Sequence, residues 1–123
     1  MYNNNLAYNA YAQNSAGVES PHKLIEMLYE GILRFNVQAK HAMKNDDIEK
    51  RSYWINRSTA IFAELLSTLD FEKGGDVAHY LSGLYTYQLQ QLTVANMDNS
   101  AEKIDEVNLV VKGLLGAWRE TTV

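Results

Sequence analysis

Residues 20–44 read SPHKLIEMLYEGILRFNVQAKHAMK, and this stretch decides the fold class. Ser20 followed by Pro21 predicts a helix start, because a serine oxygen accepts an orphan backbone N–H and proline suits the first helical position. At about 100° per residue, Leu24, Leu28, Gly31, Ile32, Phe35, Ala39 and Ala42 fall on one stripe, the mark of a helix with a single buried face. Pro21 is the only proline in the chain. All that follows is free of that helix breaker.

Working outward from this helix, the pattern recurs three times. Asp46 with Glu49 has the spacing of a capping box and predicts a second helix with Ile48, Ile55, Ser58, Phe62, Leu65, Leu66 and Leu69 inward. It stops at a turn-like segment, Asp70 to Asp76, punctuated by Gly74 and Gly75. A third helix from about Asp76 to Asn96 turns Val77, Leu81, Leu84, Gln88, Leu92 and Ala95 to one side. A fourth, capped by Asn99 with Glu102, carries Ile104, Val107, Val111, Leu114, Leu115 and Trp118. Four such helices with short polar connections pack most simply as an antiparallel up-down bundle, so the expected class is all-α. Residues 20–123 are assigned to the bundle. Residues 1–19, with Asn3, Asn4, Asn5, Asn9 and Asn14 among their residues, are expected to form an irregular N-terminal arm. Composition leaves that arm two readings: an idle disordered tail, or a segment that lies in a groove through Leu6, Tyr8 and Tyr11 and leaves when a partner arrives.

The composition narrows function. With 123 residues, 46% hydrophobic and 21% charged, the chain is sized for one core and is not a disordered one. Cysteine is absent, which removes disulfides, thiolate nucleophiles and cysteine-ligated metal centres. Eleven Lys and Arg against fifteen Asp and Glu leave a net charge of -4, with no basic footprint for nucleic acid or anionic lipid. No basic, apolar leader occurs in residues 1–19, and no run approaches the roughly 18 apolar residues of a membrane span. A cytoplasmic protein without membrane insertion is expected. Glu19 with His22 and Asp76 with His79 repeat the i, i+3 spacing used by carboxylate-bridged di-metal bundles. Both pairs sit at helix starts, where the dipole favours a carboxylate without any metal, and the other helices offer no matching carboxylates. His41 stands alone near a helix end. No catalytic, metal or cofactor site is therefore expected.

The third helix departs from a plain bundle. Between Asp76 and Asp98 it holds no Asp, Glu, Lys or Arg. Tyr85 and Leu89 on one flank and Tyr80, Tyr87 and Val94 on the other widen its apolar arc to roughly 220°. Ile25, Tyr29 and Leu33 on the first helix, Trp54 and Ile61 on the second, and Leu109 and Val110 on the fourth add to the excess. Depletion of charge with enrichment in Tyr, Trp and Leu is the composition of a protein–protein contact. Such a surface serves a partner or a second copy equally, so a self-associating bundle acting as a structural or adaptor protein is the alternative.

Residues 20–31, Leu69-Asp70, Glu72-Lys73-Gly74-Gly75, Leu84-Tyr85-Thr86-Tyr87, Ala95-Asn96 and Ala117-Trp118 closely resemble, in order, the signatures of the flagellin-specific export chaperones, the FliS family. His22 and Val18-Glu19 depart from the family's usual helix entrance. The resemblance implies a cytoplasmic chaperone, not an enzyme, that binds the disordered C-terminal segment of flagellin, prevents premature polymerisation and aids delivery to the flagellar type III export gate. A co-chaperone or regulator is a further implied partner. Carried onto the flanks above, it implies flagellin contacts at Ile25, Tyr29, Leu33, Trp54, Ile61, Leu65, Tyr85, Leu89 and Val110. In this family the arm is thought to cover part of the flagellin site, which favours a displaceable cap through Leu6, Tyr8 and Tyr11.

Overall fold

The computed structural model describes residues 5–12 and 21–121, apart from the side chains of Asn5, Leu6, Tyr8 and Ala12. Among them every regular element is a helix: α1 (Asn5–Ala12), α2 (Pro21–Lys44), α3 (Ile48–Ser67), α4 (Phe71–Asp98) and α5 (Ala101–Arg119). The expected irregular arm is corrected here, since α1 is helical. So short and asparagine-rich a segment is not stable as a helix alone, and tertiary packing must hold it. The expected Ser20 cap and the boundary between arm and bundle fall outside the described residues.

The starts of α3 and α5 lie one residue from the expected caps, and α4 starts five residues before the expected Asp76, for a local reason in each case. Asp47, not Asp46, caps α3 by accepting from the Lys50 N–H at 3.0 Å, while Asp46 takes a left-handed φ of 55° in the turn. Ser100, not Asn99, caps α5 by accepting from Lys103 N–H, and Asn99 closes α4 at φ 52°. The Asp70 carboxylate accepts from the N–H groups of Glu72 and Lys73 at 3.0 and 2.9 Å, so α4 starts at Phe71. The glycine pair does not form the expected open turn. Gly75 alone leaves helical geometry, at φ 51° and ψ -128°, and makes a kink inside α4.

Helix α2 packs on α3 and α5, and α4 packs on the same two, while α1 lies against α4 and touches α2. Contacts along the α2–α5 seam run in opposite senses: His22 meets Trp118, Asn36 bonds Asn108 at 2.8 Å, and Lys40 pairs with Asp105. Across the α3–α4 seam Arg51 bonds Asn96 and Phe62 meets Tyr85. The core runs through Ile32, Ile55, Phe62, Leu65, Leu92, Ile104, Val107 and Val111, all essentially inaccessible. Burying each such side chain contributes about 1.5–3 kcal/mol.

Two buried stripes are turned from their expected positions. On α2 the core face is Ile25, Tyr29, Ile32, Asn36, Ala39 and Met43, with Leu24, Leu28 and Phe35 half-buried at its edge. On α4 it is Ala78, Leu81, Tyr85, Gln88, Leu92 and Ala95, with Val77 and Leu84 at the edge. Ile48, expected inward, is exposed at the start of α3. The rotations have one cause: polar atoms enter the core because partners from other helices satisfy them. Asn36 donates to Asn108 and accepts from Ser58 Oγ, and the Tyr29 and Tyr85 hydroxyls bond each other.

Candidate functional site

Helix α1 is seated in a socket made for it. The Asp70 N–H donates to the Ala10 carbonyl at 2.5 Å, the residue whose side chain also caps α4. Gly74 lies beneath: a Cβ there would stand 2.7 Å from Ala10 Cα and 2.8 Å from Ala78 Cβ. Only glycine allows this backbone approach. Ala10 and Tyr11 are completely buried by the contact.

Tyr11 carries α1 into the bundle. Its hydroxyl hydrogen-bonds the Tyr85 hydroxyl of α4, which also bonds the Tyr29 hydroxyl of α2 at 2.5 Å. Around this group the Phe62 ring lies 6.0 Å from that of Tyr85, and the Trp118 ring stands edge-on to Tyr11 at 5.7 Å. Burial is the largest cause raising all three phenols above the ordinary tyrosine value, Tyr11 and Tyr85 well above it. They are neutral hydroxyls, each available as donor and acceptor.

Trp118 joins α1 to the entrance of α2. Its indole N–H donates to the His22 carbonyl at 2.8 Å, and the His22 ring stacks on it at 4.8 Å. His22 Nε2 returns a hydrogen bond to the Trp118 carbonyl at 3.0 Å. This histidine, one of the four residues in the di-metal spacing, is engaged with an indole, and Glu19 lies outside the described residues. Among the described residues no group of three or more His, Asp or Glu is placed to hold a metal ion. Nor is any described helix long and apolar enough to cross a membrane.

The residues expected to touch flagellin divide into two sets. Ile25, Tyr29 and Tyr85 are not flank positions: they lie in the core, Tyr29 and Tyr85 directly under Tyr11, and Leu65 is buried as its place on the inward stripe predicts. Leu33, Trp54, Ile61, Leu89 and Val110 are half-buried. Trp54 lies beside Phe35 and Tyr53 on the α2–α3 seam, with the Arg57 guanidinium over the Phe35 ring at 4.7 Å, so it is not near α1. Tyr80, Tyr87, Met97 and Leu109 are exposed. Of the residues expected to form a cap, Tyr11 is buried against Tyr85 and Trp118, while the Leu6 and Tyr8 side chains lie outside the described residues. Sequence reasoning missed Ala10, Gly74 and Ala78, whose signal is small side chains where a helix and an arm must touch.

The fold and this socket define a helical protein that covers part of its own charge-free face with an N-terminal segment. It belongs to a known family: a model described as "Flagellar protein FliS" matches residues 2–123. Its relatives include proteins named flagellar secretion chaperone FliS. The Campylobacter jejuni protein is 67% identical over 117 residues, 95% of this chain and 91% of the relative. The Salmonella typhimurium protein is 35% identical over 90% of this chain and 86% of its own. That of Bacillus subtilis is 32% identical over 92% and 84%.

Proposed function

We propose that this chain is a non-enzymatic cytoplasmic chaperone that holds the disordered C-terminal segment of flagellin, keeps it from polymerising early and presents it to the flagellar type III export gate. In this reading residues 20–123 are an up-down four-helix bundle, and residues 1–19 are a cap that the client displaces. One observation carries it: α1, too short to be stable alone, fills a socket on the helix that bears no Asp, Glu, Lys or Arg between Asp76 and Asp98. When α1 leaves, Tyr29 and Tyr85 become client contacts, and Leu33, Leu89 and Val110 extend the surface. A client that folds on binding pays roughly 2–5 kcal/mol in ordering, so it needs an apolar groove of this kind in return. Amphipathic helices laid into such grooves are a recurring solution.

Calorimetric titration with a C-terminal flagellin peptide tests the reading. Saturable one-to-one binding with a negative heat-capacity change supports it, and no binding ends it. The self-associating alternative draws on the exposed Tyr80 and Tyr87 of α4. Light scattering separates the two: a monomer that becomes a one-to-one complex supports the chaperone, and a dimer indifferent to flagellin supports the alternative.

A further inference from the structure

The floor of the α1 socket is polar in a way that constrains whatever replaces α1. Tyr29 of α2 and Tyr85 of α4 meet across the core, are almost completely buried, and among the described residues their hydroxyls bond only each other and Tyr11. One turn further along the buried face of α4, Gln88 is also buried, and none of the side-chain hydrogen bonds among the described residues uses its carboxamide. When α1 departs, the Tyr85 hydroxyl loses its Tyr11 partner. The Tyr29–Tyr85 bond uses one of the pair's two O–H protons, so a purely apolar replacement would seal the other away from water without an acceptor, which is costly. A charged replacement would carry its charge into surroundings of Phe62 and Trp118, which is costlier still. An incoming helix uses its own backbone groups internally, so the missing group must come from a side chain.

We infer that the segment displacing α1 carries a neutral hydroxyl or carboxamide side chain that takes the place of the Tyr11 hydroxyl on Tyr85, and that this requirement selects the client. The inference rests on the chaperone reading and adds a chemical class to it. Apolar area alone holds any amphipathic helix, whereas a buried polar group left unpaired rejects segments that lack the matching group. Tyr11 is then an internal copy of the client's anchor.

A double-mutant cycle on the full-length protein tests this. The C-terminal flagellin segment is titrated into wild type, Tyr85→Phe and Tyr29→Phe, with each Ser, Thr, Asn and Gln of the segment changed in turn to Ala and each Tyr to Phe. Because both arms of the cycle face the same α1, its competition cancels. The expected result is one client residue whose loss weakens binding about tenfold against wild type and less than about twofold against Tyr85→Phe. Equal losses against both proteins for every client residue would overturn the inference. If Tyr85→Phe does not fold, Tyr29→Phe carries the cycle with the opposite sign: the client group is then the remaining partner of the Tyr85 hydroxyl, so its loss should weaken binding more than against wild type, and an equal loss would overturn the inference. Failure of the underlying reading is seen separately: the unchanged segment then does not bind wild type at all, and both proposals fall.

Discussion

Replacing Gly74 with alanine should release α1 while leaving the bundle intact. The added Cβ would stand 2.7 Å from Ala10 Cα and 3.0 Å from Ala10 Cβ. Carbon atoms pack at about 3.5–4.0 Å, so the overlap approaches 1 Å. The obstacle is backbone, which cannot swing aside as a side-chain tip can, and overpacking of this kind costs about 1–3 kcal/mol. Docking of α1 rests on few groups. The Tyr11 ring contributes about 1.5–3 kcal/mol by burial, and the hydrogen bonds from Tyr11 and to Ala10 about 1 kcal/mol each. A loss of 1–3 kcal/mol therefore shifts the docked population by a factor of about 5 to 150. Within α4 the same Cβ would stand 2.8 Å from Ala78 Cβ, a local strain that alanine's better helix propensity, about 0.5–1 kcal/mol, offsets in part, and Gly74 has no positive φ. Hydrogen exchange reads both parts: amides of residues 5–12 and of Asp70, which donates to Ala10, should lose protection about tenfold or more, while those of Ile55–Leu65 and Val107–Leu115 keep theirs. Unchanged protection of α1, or a uniform loss throughout, would refute the reasoning.

Gly75→Ala acts differently, since nothing lies within 4 Å of the added Cβ but φ is 51°; the backbone alone should cost about 1–3 kcal/mol, read as a lower denaturation midpoint in urea. Asp70→Ala removes the α4 cap at a cost of about 1 kcal/mol yet keeps the backbone bond to Ala10, so the melting temperature should fall without release of α1. The Arg119 guanidinium, bonding Glu26 at 2.9 Å, lowers the Glu26 carboxyl below its ordinary value. A depressed folded-state pKa contributes stability that is full above the unfolded carboxylate range and lost as pH falls through the lowered value. Arg119→Met should therefore lower stability modestly near pH 7 and leave it little changed below the lowered Glu26 value, so that stability falls less steeply with acid, as urea midpoints followed by circular dichroism at the two pH values would show.

The helices were legible because their apolar spacing is long and uninterrupted after Pro21. Their rotations were not. On α2 apolar residues occupy so wide an arc that periodicity cannot choose between a core centred on Leu24 and Leu28 and one centred on Ile25 and Tyr29. The choice is made by Tyr85, Ser58 and Asn108, which satisfy Tyr29 and Asn36 from other helices. Reading Tyr85 as a flank residue was the same error in reverse: a tyrosine looks like boundary until its hydroxyl is known to have buried partners. Helix α1 was hidden because its propensity is poor and its stabilisation comes from Gly74, Ala78 and Asp70, remote in sequence. The caps at Asp47 and Ser100 slipped by one residue, since Asp46-Asp47 and Asn99-Ser100 each offer adjacent capping side chains.

The central claim is that α1 occupies ground the client needs. Calorimetric titration of a C-terminal flagellin peptide into the full-length protein and into protein lacking residues 1–19, shown by circular dichroism to be folded, tests it most directly. The account predicts saturable one-to-one binding by both, tighter for the truncated form. Equal or weaker binding after truncation would contradict it.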